Sequence, residues 1–143
     1  MKLFCHFSED KLREKLVSLV HMRASTASVE ELYKFIVHHK QKTKLIIDTW
    51  ASELYKAKPY HKLYFMVLAN KIIQEAEKSA PELVLAYKKC LLMVFFHLKN
   101  SREDDYLRNG ITVILKNWSE LGICSDLVEA AKVVFNDLHI SEH

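Results

Sequence analysis

Only two glycines and two prolines punctuate the 143 residues, and that scarcity decides most of what the chain can fold into. A sheet protein of this length needs many tight turns. Turns draw on the positive φ open to glycine and the fixed φ of proline. A chain with so few of either is predicted to be helices joined by short polar loops. Half the residues are apolar and 27% are charged, enough for one real core and too short a chain for two. A single all-α domain over 1–143 is expected.

Helical periodicity carries that expectation along the chain. A first helix is predicted from about Ser8 to Met22, with Ser8 as cap, Glu9 and Asp10 at its positive end, and Leu12, Leu16, Leu19 and Val20 as its stripe. The break Ser25-Thr26-Ala27-Ser28 offers the next cap, ahead of Val29, Leu32, Tyr33 and Ile36. A third helix, about Thr43 to Ala57, sets Ile46, Trp50 and Leu54 four apart, and Pro59 ends it. The fourth, about Tyr60 to Lys78, is apolar all round over Leu63 to Ala69 and should be central. The fifth, opened by Pro81 and reaching Leu98, is equally apolar over Cys90 to Phe96 and is expected to be central too. The sixth, about Arg102 to Trp118, holds Gly110 in its interior, a position that costs about 1 kcal/mol relative to alanine and points to another backbone passing close. The last begins at Ser125 and carries Leu127, Ala131, Val134, Phe135 and Leu138. The tail 139–143 is expected to fray.

Several function classes have no support in the residues. The formal net charge of +3 is far below that of a dedicated nucleic-acid binder, so direct nucleic-acid binding is not expected. Cys5, Cys90 and Cys124 are too few and too scattered for a disulfide framework, and Cys90 is expected to be a small core residue. The apolar start before Glu9 is too short for a signal peptide, and no segment approaches the roughly 20 apolar residues of a membrane span. An intracellular chain is expected. His38 and His39 are adjacent and diverge by about 100° on a helix, while His139 and His143 sit at the chain end; no metal or other cofactor is expected. No glycine-rich phosphate loop, nucleophile elbow or zinc-protease motif is present, so no enzyme is expected.

One feature is sharper. Val67, Asn70, Lys71, Gln74 and Lys78 stand at i, i+3, i+4, i+7 and i+11, one continuous helix face. A polar, cationic stripe on an otherwise apolar helix must reach water. By pattern alone it is either the wet side of that helix or the floor of a ligand groove.

The residues Val37-His38-His39-Lys40 through Trp50, then Glu53-Leu54-Tyr55-Lys56-Ala57-Lys58-Pro59, Lys62-Leu63, Leu68-Ala69-Asn70 and Ile73-Gln74 resemble the RNA polymerase II CTD-interacting domain (CID) of the regulation-of-nuclear-pre-mRNA proteins. The similarity runs without gaps from about Ser28 to Leu83 and more loosely to the last helix, with the best match over about 8–138. It implies a right-handed superhelix of seven or eight helices, as in the VHS and ENTH domains of membrane traffic. It further implies a nuclear protein-interaction module whose second, fourth and seventh helices hold the polymerase's C-terminal heptad repeat.

Three positions depart from the pattern that the resemblance implies. Lys71 stands where the family has an aspartate that accepts a hydrogen bond. Losing a charged hydrogen bond costs about 1.5–3 kcal/mol, or about ten- to a hundredfold in affinity. Val67 replaces a family tyrosine, and Val113 replaces an arginine suited to the phosphate on the repeat's second-position serine. Lys116 lies nearby as a point charge, and Asn70 is retained. The scaffold motifs survive better than the recognition motifs. A repurposed adaptor binding another nuclear protein is therefore expected, with a reader of the phosphorylated repeat, or a VHS/ENTH-like trafficking adaptor, as the alternatives.

Overall fold

The computed structural model describes residues 7–136. Among them lie α1 (Glu9–His21), α2 (Thr26–His38), a 3-10 turn (Lys40–Lys42), α3 (Thr43–Lys56), α4 (Pro59–Glu75), α5 (Pro81–Lys99), α6 (Asp105–Leu121) and α7 (Ser125–Phe135). Cys5, Leu138, His139 and residues 141–143 fall outside the described residues.

Local chemistry sets most of these boundaries. The Ser8 hydroxyl accepts from the Lys11 N–H at 3.1 Å, and the Ser25 hydroxyl accepts from the Ser28 N–H at 3.2 Å, each satisfying an orphan donor of a first helical turn. Pro59 and Pro81 open α4 and α5, where a missing N–H costs nothing. α6 starts later than Arg102 because Asp104 is its cap, accepting from the Leu107 N–H at 2.9 Å. Gly122, at φ 69°, stops it. α4 ends at Glu75 and not at Lys78. Pro81 cannot continue a helix, and the chain turns early to bury Ala76 and Ala80, joined by an N–H to carbonyl bond of 2.8 Å.

Helices two places apart along the chain pack on each other, and α1 on α2, α3 on α4, α4 on α5 and α6 on α7 join the two rows, which builds an all-α superhelix of two layers. The layer α1–α3–α5–α7 lies against the layer α2–α4–α6. Between them Trp50, Tyr87, Phe95, Trp118 and Phe135 are fully buried. The Trp50 Nε1–H donates to the Phe65 carbonyl at 3.1 Å, and its ring meets Tyr87 edge-on at 5.0 Å.

α4 is central, as its sequence predicts. It even buries Lys62, whose Nζ donates to the carbonyls of Leu54, Tyr55 and Ala57 at 3.0, 3.2 and 2.7 Å and so caps the C-terminal end of α3. α5 departs from expectation. It buries Leu83, Val84, Tyr87, Leu91, Val94, Phe95 and Leu98, but Leu85, Leu92, Met93 and Phe96 stay exposed because no described helix covers its far side. Cys90 is half-buried at the edge of the core.

Gly110 is explained by a side chain and not by a passing backbone. A Cβ placed there would lie 2.4 Å from both Leu63 methyls and 2.9 Å from Leu63 Cγ. Leu63 is buried and has little room to retreat. Gly110→Ala gains about 1 kcal/mol of helix propensity but overpacks this contact by about 1–3 kcal/mol. The expected result is a net fall in the urea midpoint, whereas Gly110→Ala made in a Leu63→Ala background is expected to leave that background's midpoint unchanged or raise it.

Candidate peptide groove

The even-numbered layer leaves a groove of about 250 Å³, with Ala24, Thr26 and Val29 on one side and Val67, Asn70, Lys71, Gln74 and Glu75 of α4 on the other. The helical spacing of α4 therefore brings four of the seven expected residues together. The third wall is α6. Gln74 Nε2 donates to Asn117 Oδ1 at 3.0 Å and to Asn70 Oδ1 at 2.7 Å. Asn70 Oδ1 also accepts from Trp118 Nε1 at 2.7 Å, which ties the groove floor to the core. α7 packs on α5 and α6, away from this site, so the third wall expected of a seventh helix is supplied here by the sixth.

Lys71 is the half-buried centre of the groove, its side chain 18% exposed. Its Nζ sits 2.9 Å from Glu30 Oε1 of α2, 3.0 Å from Glu75 Oε2 one turn on, and 5.0 Å above the Tyr33 ring. The hydrogen bond to Glu30 raises the lysine pKa, assisted by Glu75 and opposed by desolvation. The same bond holds the Glu30 carboxyl below its ordinary value. The cation expected from the sequence is thus present, but it is clamped across the groove between two carboxylates.

The remaining three residues are placed differently. Val113 is 66% exposed on α6, one helical turn before Asn117 and beside the groove. Lys116 is exposed on the same helix. Lys78 is exposed on the turn after α4 and leaves the stripe, since the helix has already ended. Sequence reasoning missed Glu30, Glu75 and Asn117. Glu75 was available as the i+4 partner of Lys71, whereas Glu30 and Asn117 reach the groove only through helix packing.

Hydroxyl, amide, ammonium and carboxylate groups arranged this way can hydrogen-bond an extended peptide. Among the described residues no cluster of His, Cys, Asp and Glu is placed to hold a metal ion. No described helix is long and apolar enough to cross a membrane.

A family model for the CID domain matches residues 10–130. The chain belongs to the CID domain family. Its relatives include regulation of nuclear pre-mRNA domain-containing protein 1A of Homo sapiens, 32% identical over 127 residues, which cover 88% of this chain and 39% of that protein. The same protein of Gallus gallus is 33% identical over 117 residues, covering 82% and 42%. Protein 1B of Mus musculus is 30% identical over 132 residues, covering 92% and 39%. The chain thus spans about two fifths of the length of these relatives. The CID fold accounts for the all-α superhelix.

Proposed function

We propose that this CID domain is a non-enzymatic protein-interaction module of nuclear transcription or RNA-related regulation, whose groove takes a peptide other than the polymerase heptad repeat. Family membership and the names of the relatives support the nuclear setting over membrane traffic. The observation that carries the reading is Lys71, clamped between Glu30 and Glu75 in the middle of the groove.

Magnitudes decide what this does to a ligand. A partly exposed ion pair stabilises by only about 0–1 kcal/mol, so a ligand with good contacts would part it. What turns the heptad repeat away is the absence of an acceptor at 71, a ring at 67 and a guanidinium at 113. Each such contact is worth about 1–3 kcal/mol. Losing two moves a micromolar peptide to about millimolar.

The test is to restore recognition. Lys71→Asp alone would place a third carboxylate beside Glu30 and Glu75 and suppress its own ionisation. The restoring set is therefore Lys71→Asp, Val113→Arg and Glu30→Gln. It is expected to raise affinity for a serine-phosphorylated heptad peptide at least about tenfold over wild type. Unchanged affinity in a folded triple variant would overturn the reading.

A second reading keeps the phosphorylated repeat as ligand. It is favoured by Asn70, whose Nδ2 has no protein partner among the described residues and stays free to donate. Under that reading Lys71 is a phosphate contact, and Lys71→Ala abolishes binding that wild type already has.

A further inference from the structure

The other layer carries an apolar surface that the groove does not explain. On α5, Leu85, Leu92, Met93 and Phe96 are 52%, 42%, 64% and 54% exposed, and on α7 Val133 is 78% exposed. The α5 residues stand at i, i+7, i+8 and i+11, a straight stripe of roughly 16 Å, or three helical turns. Beside it, between α5 and α7, runs a depression of about 570 Å³ floored by Leu85, Leu92, Leu127 and Ala130. Single exposed apolar side chains need no explanation, but a contiguous stripe along a groove marks a place where another chain packs.

Charge identifies the occupant. Lys88, Lys89 and Asp126 line the depression, Asp126 in the first turn of α7, where the positive helix end offsets its charge. Lys88 lies 3.8 Å from Glu77, whereas Lys89 has no carboxylate partner among the described residues. Lys89 also falls midway along the stripe. Two copies pairing α5 on α5 about a twofold axis would press two Lys89 ammonium groups together in apolar surroundings, which selects against a second copy. A helix of another protein that presents a carboxylate there satisfies Lys89 while its apolar face fills the depression.

We propose that the α5–α7 face docks an amphipathic helix of another protein, bearing acidic residues beside its apolar stripe. The surface lies in the layer opposite the groove, so both can be occupied together.

The test uses the full chain and two labelled synthetic helices of about four turns, each with leucines at i, i+4, i+7 and i+11. One is flanked by glutamates and the other by lysines. At about 0.15 M salt the acidic helix is expected to bind saturably and at least about tenfold tighter than the basic one. Met93→Ser with Phe96→Ser, both more than half exposed and so outside the core, abolishes binding with the helical circular dichroism unchanged. Lys89→Glu reverses the preference toward the basic helix. Failure of both helices to bind, equal binding of the two, or an unchanged preference in Lys89→Glu would overturn the proposal. So would self-association of the chain that Met93→Ser with Phe96→Ser removes, which assigns the face to a second copy. A rise in affinity for the acidic helix on Leu138→Ser with Ile140→Ser would likewise overturn it, by assigning the face to the chain's own C-terminal residues.

Discussion

Truncating Trp118 to alanine is expected to cost about 3–5 kcal/mol of folding free energy, a large share of a total domain stability of the order of 5–15 kcal/mol. The indole is fully buried against the core, and its Nε1 is bonded to Asn70 Oδ1 at 2.7 Å. Trp118→Phe separates the two contributions. The ring largely refills the site, the hydrogen bond is lost for about 1 kcal/mol, and Asn70 Oδ1 is released toward the groove. Urea denaturation followed by circular dichroism reads both variants. Equal, small effects would mean that the indole is not the link between core and groove.

The second large effect is expected at Lys62. Lys62→Met keeps the apolar stem but removes the three-way donor at the end of α3. The Leu54 carbonyl keeps the Ala57 N–H at 3.1 Å, so Tyr55 and Ala57 are the carbonyls left short. Burial alone pushes the Lys62 pKa down, so folding disfavours its charge, and methionine relieves that penalty. Against it stand two stripped, part-buried acceptors at about 1–3 kcal/mol each. A net loss of about 2 kcal/mol is expected, with faster amide exchange in the last turn of α3. Neutral stability would mean that water replaces the ammonium at no cost.

What was legible in the sequence follows from the range of the forces involved. Ser8, Pro59, Pro81 and Gly122 act within one turn of their own positions, so the helix ends they set can be read locally. The Val67–Asn70–Lys71–Gln74 face was legible for the same reason, since 3.6-residue periodicity needs no tertiary information. The Glu30–Lys71 bridge was not, because the 40 intervening residues must fold before the two meet. Nor was the open side of α5. An apolar run can be covered on every side or left for a partner, and periodicity does not distinguish the two. The burial of Lys62 was not legible either. It stands just before the apolar run of α4, and it is buried because three carbonyls replace its water.

Isothermal titration of the full wild-type chain with tandem polymerase heptad repeats, unmodified and phosphorylated on the second-position serine, bears most directly on the groove. With Lys71 held between Glu30 and Glu75, and no acceptor at 71, ring at 67 or guanidinium at 113, no saturable binding is expected below about 1 mM peptide. A micromolar dissociation constant for either peptide, lost on Lys71→Ala, would contradict it.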